Sequence, residues 1–149
     1  MSAVVVTDAI YDSFRTGNEQ DRTFYHGHTF CGNPITSAVA LAALSIYREE
    51  KVLENSKPRI EQLKAGMEEL GLMLDNSAVR ALGMIGVVEV NDSSGGVQRA
   101  RRIAGSAYEL GLFIRPLNQA VYLWPPLTIT KEELGRMLSI LKAAIKQTA

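Results

Sequence analysis

The chain has 149 residues, 46% of them hydrophobic and 21% charged, the balance of a globular domain with its own core rather than of a disordered or membrane chain. Sixteen basic side chains cancel sixteen acidic ones, so no basic excess points to nucleic acid or to an anionic membrane surface. The longest apolar stretch, Ser37 to Ile46, is too short to span a bilayer, the start lacks the pattern of a signal peptide, and one cysteine, Cys31, excludes an internal disulfide framework and fits a cytoplasmic location.

The first apolar β-branched run, Ala3 to Val6, reads as a short buried strand. A chain that opens inside such a run is expected to be a piece of a longer one. Thr7 or Asp8 caps a following helix with Ile10, Tyr11 and Phe14 on one face, and Thr16-Gly17-Asn18 ends it. Residues 18 to 32 are polar and glycine-containing and read as a loop. Asn33-Pro34 then supplies an N-cap and a good first helical residue. The spacing predicts a long helix over Ile35 to Leu53, apolar around most of its circumference, as in helices buried between layers.

Lys57-Pro58 predicts a break and a restart. Pro58 to Leu70 is amphipathic, with Ile60, Leu63, Met67 and Leu70 at helical spacing, and Gly71 closes it. Val79 to Val90 is β-like, with Gly83 and Gly86 suggesting a bulge or a close backbone approach. Asn91 to Gly96 is a turn cluster. Val97 to Leu110 is helical and stops at Gly111. Leu112 to Arg115 and Ala120 to Trp124 read as two short strands forming a hairpin around Leu117-Asn118-Gln119, ended by Pro125-Pro126. Thr130 with Glu133 makes a capping box for a last helix running to about Gln147. The order predicts an α/β (α+β) layered domain with a small, mainly antiparallel sheet packed with helices.

Two constellations carry possible chemistry. Tyr25-His26-Gly27-His28-Thr29-Phe30-Cys31-Gly32-Asn33-Pro34 sets small polar groups before a helix N-terminus, whose free N–H groups and partial positive charge suit a phosphate. Thr29 adds a hydroxyl. An ordinary polar loop with a cap has the same composition. No credible set of metal ligands accompanies the two histidines, and Cys31 lacks the neighbours of a nucleophile. The second constellation is Ile114-Arg115-Pro116 with Tyr122. A guanidinium held on a strand grips a carboxylate through two parallel hydrogen bonds; a surface arginine with an acidic partner is the other reading. Arg80 reads as a surface or ion-pair residue, and the glutamate pairs at 49–50, 68–69 and 132–133 as solvated helix faces or dipole partners.

Together these segments resemble the C-terminal third of class III (fold-type I) pyridoxal-phosphate aminotransferases, over nearly the whole chain. In that family a His-Gly-x-Thr-Phe/Tyr-x-Gly-Asn-Pro segment precedes a long apolar helix, as His26 to Pro34 does here. An Arg-x-x-Gly-Leu-Met/Ile-like strand is similar to Arg80 through Ile85. Ile114-Arg115-Pro116 through Tyr122-Leu123-Trp124-Pro125-Pro126 looks most like the branch that makes diaminopelargonate.

The resemblance implies a fold: residues 1–33 as a remnant of a large cofactor domain, 34–54 as a long connecting helix, and 55–149 as the C-terminal small domain. It implies a homodimer with active sites at the subunit interface. Thr29, with His28 and Phe30, would contact the pyridoxal 5'-phosphate of the neighbouring subunit. Arg115 would bind the carboxylate of 7-keto-8-aminopelargonate, Tyr122 would line the same pocket, and S-adenosylmethionine would donate the amino group. The family's Schiff-base lysine lies shortly before the strand matching Ala3 to Val6, so no catalytic residue carries over; no lysine precedes Lys51, and Lys51 is placed in a helix. The chain alone is therefore expected to be inactive. Related class III enzymes acting on ω-amino acids or ornithine, a phosphate-binding module, and a dimerisation domain remain as alternatives.

Overall fold

The computed structural model describes residues 2–15, 22, 24–74, 77–90 and 95–148. They divide into two compact units, one up to Glu49 and one from Glu50 onward.

The first unit holds an irregular lead, α1 (Asp8–Ser13) and α2 (Pro34–Glu49). The lead is not the buried strand expected from its sequence: Val4 and Val5 are 90% and 93% exposed. A strand needs a neighbour for its N–H and C=O groups, and among the described residues none lies beside it. The α1 face of Ile10, Tyr11 and Phe14 is likewise exposed. The predicted end of that helix at residues 16 to 18 lies outside the described residues. Asn33 caps α2 as expected, its Oδ1 accepting from the N–H groups of Ile35 and Thr36 at 3.0 and 3.1 Å.

The apolar helix expected to reach Leu53 stops at Glu49. Lys51 turns into the left-handed region, with φ 48°, and α3 (Val52–Gly71) begins after it. The Asn55 side chain donates to the Glu50 carbonyl at 2.7 Å, satisfying an acceptor that the ended helix leaves open. Lys51 is thus at a join, not in a helix. Pro58 does not start the next helix but sits within α3. The turn ahead of it holds because Val52 and Ser56 are buried, an anchorage that offsets the hydrogen bond proline removes.

The second unit has one core. β1 (Ala78–Leu82), β2 (Ile85–Glu89) and β3 (Ala120–Leu123) form an antiparallel sheet in that order, the architecture expected from the sequence. Gly83, at φ 55°, makes the turn of a β1–β2 hairpin in which Leu82 pairs with Ile85. α3 packs under β1 and β2, α4 (Gly96–Glu109) under β3, and α5 (Lys131–Gln147) against both helices. Leu63, Met67, Ile103, Leu134 and Leu141 are fully buried between these layers, each contributing about 1.5–3 kcal/mol of transfer free energy. Gly86 is the close approach expected from its place in a strand: a Cβ there would lie 2.5 Å from Met67 Cγ, so α3 sits directly against the β2 backbone.

The helix ends follow their signals. After α4, Gly111 takes φ 90°; its N–H bonds the Tyr108 carbonyl and that of Leu112 bonds Ala107, at 2.9 and 2.8 Å, the paired closure of a Schellman end. At α5, Thr130 and Glu133 exchange hydrogen bonds as the predicted capping box.

Candidate functional site

In the first unit, His28 to Cys31 forms a turn. The Cys31 N–H donates to the His28 carbonyl at 2.9 Å, and the His28 N–H donates to Cys31 Sγ at 3.2 Å. A row of rings leads to it: Phe14 to Phe24, Phe24 to His26 and His26 to His28, with centroids 5.4, 5.4 and 5.5 Å apart. The α2 N-terminus differs from the expectation of free donors. Pro34 has no N–H, and those of Ile35 and Thr36 are taken by Asn33. Among the described residues of this exposed stretch, the N–H groups of Gly27, Thr29, Phe30 and Gly32 and the Thr29 hydroxyl are donors left open. Thr29, His28 and Phe30 thus share one turn, and its open donors, those of residues 29 and 30 included, lie ahead of the first turn of the helix.

In the second unit, Arg115 lies in an irregular segment, not in the strand predicted for Leu112 to Arg115. The hairpin turn is present: Leu117 and Ala120 exchange N–H···O bonds, both 2.9 Å, around Asn118 at φ 52°. Pro116 prevents the ladder from continuing, because its ring holds φ near −65°, far from the −140° of an antiparallel strand. The two arms still alternate in step. Leu112, Val121, Leu123 and Pro125 are buried, whereas Phe113, Arg115, Leu117 and Trp124 are exposed and Tyr122 half-buried.

The sheet carries this pattern further. Val88 and Gly86 of β2 face the helices, so Ile85, Val87 and Glu89 share the outer face. The register sets Tyr122 opposite Val87, and Val87 opposite Arg80. Arg80 Nη1 lies 2.6 Å from Glu89 Oε1 across the strands. The Arg80 guanidinium, with help from the Gln119 side chain, holds the Glu89 carboxyl below its usual range. Arg80 is therefore an ion-pair residue, as its sequence context suggested. Among the described residues Arg115 has no acidic partner, so of Arg80 and Arg115 it is the one left open to an anion.

Sequence reading missed the outer-face companions of Tyr122, namely Val87, Ile85 and the Arg80–Glu89 pair. The alternation of Ile85 to Glu89 was visible. What the sequence hides is the two-residue hairpin at Gly83, because a glycine there suits a bulge or a close backbone approach as well, and the register stays unassigned without it. No three His, Cys, Asp or Glu side chains converge as metal ligands among the described residues, and none of their helices is long and apolar enough to cross a membrane.

The three-stranded antiparallel sheet with its helices is a fold shared with a part of fold-type I transaminases. Residues 1–145 match the family described as aminotransferase class-III, and the chain belongs to that pyridoxal-phosphate-dependent family. The adenosylmethionine-8-amino-7-oxononanoate aminotransferase of Nitratidesulfovibrio vulgaris is 35% identical over 97% of this chain and 28% of its own length. The crystal structure of the enzyme of that name from Methanocaldococcus jannaschii superposes with a TM-score of 0.84 at 32% identity, covering 95% of this chain and 34% of that one. An amine transaminase from an uncultivated Pseudomonas species, in its PLP-bound form, superposes with a TM-score of 0.82 at 29% identity, covering 94% and 33%. The chain spans about a third of the length of the relatives it matches.

Proposed function

We propose that this chain is the C-terminal third of a homodimeric transaminase of biotin biosynthesis, converting 7-keto-8-aminopelargonate to 7,8-diaminopelargonate with S-adenosylmethionine as amino donor. The observation that carries this reading is the hairpin that gathers Arg115 and Tyr122 while Arg80 is neutralised by Glu89. An unpaired guanidinium in a half-apolar setting suits the carboxylate end of a keto acid, through paired charge-assisted hydrogen bonds. Tyr122 then limits the space beside that carboxylate. The relatives known as adenosylmethionine-8-amino-7-oxononanoate aminotransferases favour the same acid.

The donors at residues 29 and 30 fit the other group. Two backbone N–H groups and a hydroxyl in one turn match the acceptor-rich face of a phosphate. In the proposed dimer, Thr29 and Phe30 hold the phosphate of the neighbouring subunit's pyridoxal 5'-phosphate, and His28 shapes the turn through its backbone bonds with Cys31. The bound cofactor supplies the electron sink for amino-group transfer. These residues bind and orient; none of them moves the proton. The 149 residues hold no lysine before Lys51, which stands at the join of α2 and α3, so the chain by itself is inactive in this reading.

The test is an assay of the complete enzyme bearing these residues, beside the 149-residue chain. The complete enzyme should transaminate 7-keto-8-aminopelargonate, and the Thr29→Ala variant should bind pyridoxal 5'-phosphate more weakly. The chain alone should be inert. Turnover by the chain alone, or an enzyme indifferent to this keto acid, would overturn the proposal. A second reading, an amine transaminase, draws on the similar fit to the Pseudomonas enzyme. It predicts efficient turnover of amines without a carboxylate, and no effect of Arg115→Ala on them.

A further inference from the structure

The outer face of the sheet is built in rows. The paired register sets Leu82 opposite Ile85, and Gly86 opposite Leu123. One step further brings Ile85 level with Trp124, the residue after β3. Period-two alternation puts Trp124 on the same face as Tyr122, and its 71% exposure agrees, as does the 84% exposure of Leu82. An apolar row of Leu82, Ile85 and Trp124 therefore runs beside the row containing Val87 and Tyr122. Two residues along a strand separate the rows, about 6.8 Å. On the opposite side of the Val87–Tyr122 row lies Glu89, whose carboxylate repels an anion and solvates poorly against methylenes.

We propose that this face seats the alkyl chain of the acid held at Arg115, and that Trp124 is a specificity-determining residue measuring its length. The inference rests on the proposed role of Arg115. Charge fixes one end: the carboxylate goes to the unpaired Arg115, since Arg80 is engaged with Glu89. Polarity fixes the direction, from Arg115 along Tyr122 toward Trp124, away from Glu89. The separation of the rows sets the reach. A chain of about five methylenes extends past the Tyr122 row to the Trp124 row, whereas a chain two or three methylenes shorter covers Tyr122 alone. An apolar strip of this kind, exposed and beginning at a free cation, favours an amphiphilic occupant over a wholly polar one.

The test uses the complete enzyme and a series of keto acids in which the carboxylate is separated from the reacting carbon by two to five methylenes. In the native enzyme, kcat/KM should rise about fourfold per methylene as each is buried. The Trp124→Ala variant should lose the gain for the last one or two methylenes and keep kcat on the shortest acid. Trp124→Phe should restore most of it. Leu117→Ala, on the far side of Arg115, should leave the series unchanged and serves as the control. Trp124 is exposed, so its truncation spares the core; a far-UV spectrum and melting curve matching the native enzyme verify this. An Arg115→Ala variant with unchanged KM would remove the carboxylate anchor and with it this inference. If Arg115→Ala raises KM while Trp124→Ala leaves the length dependence intact, the anchor stands and the role of Trp124 is overturned. A length dependence lost in Leu117→Ala instead would reverse the direction and overturn it too.

Discussion

Arg115 and Tyr122 stand at mirror positions about one tight turn, each two residues outside the Leu117–Ala120 bridge. That symmetry, and not a continuous strand, is what relates the two side chains. It also explains why a spacing of seven residues between them is meaningful: only a turn centred on Asn118-Gln119 sets both on the exposed side of the hairpin.

Arg115→Ala in the complete enzyme should weaken keto-acid binding by about 2 kcal/mol, roughly a thirtyfold rise in KM, if a bidentate charged pair is lost. Arg115→Lys should recover only part of this, because an ammonium lacks the planar fork. Steady-state kinetics across the three enzymes decides it, and equal KM values would take Arg115 out of the site.

Asn118 occupies the left-handed region, where a β-branched side chain is strained. Asn118→Val should cost about 1–2 kcal/mol and raise KM by loosening the mirror arrangement. Asn118→Gly should keep both. Urea unfolding read by circular dichroism measures the first effect, and kinetics the second.

Gly86→Ala should destabilise the second unit by about 1–3 kcal/mol, since the added methyl meets Met67 and Leu63 in a filled core. Gly83→Ala has open space around it and should suffer only from its positive φ. A denaturation midpoint for Gly86→Ala no lower than that for Gly83→Ala would contradict the close α3–β2 contact.

Two carboxyl groups are held below the ordinary value of 4.5: Glu89 by Arg80, and Glu133 by the N–H and hydroxyl of Thr130. A depressed carboxyl stabilises the fold above its unfolded value, and the contribution disappears as pH falls through the lower folded value. Stability should therefore decline below about pH 4.5, and the Glu89→Gln, Glu133→Gln double variant should show a shallower decline there. Removing the cap itself, with Thr130→Ala, should cost about 1 kcal/mol at neutral pH. A variant with the native acid slope would show that neither pair responds to pH in this window.

Local signals were legible where chemistry and backbone agreed. The Asn33 cap, the Gly111 stop and the Thr130–Glu133 box depend on residues two to five apart, and all three appear where their motifs stand. Signals that depend on distant partners were not legible. Val4 to Val6 reads as a strand by composition, yet a strand exists only beside another. Pro58 reads as a helix start, yet burial of Val52 and Ser56 carries α3 past it. The candidate site residues show the same division. The chemistry of Thr29 and Arg115 could be argued from their neighbours, and the Asn33 cap that uses the α2 donors is local, but that Glu89 occupies Arg80 is a fact of pairing across space.

α2 contains no buried residue, whereas every member of the main core lies between Leu63 and Ile145. An isolated helix of 16 residues, even an alanine-rich one, is marginal in water without packing. Heating this chain by itself should therefore give two signals: a gradual, uncooperative loss of helicity from α2 at low temperature, then the sharp transition of the core from Glu50 onward.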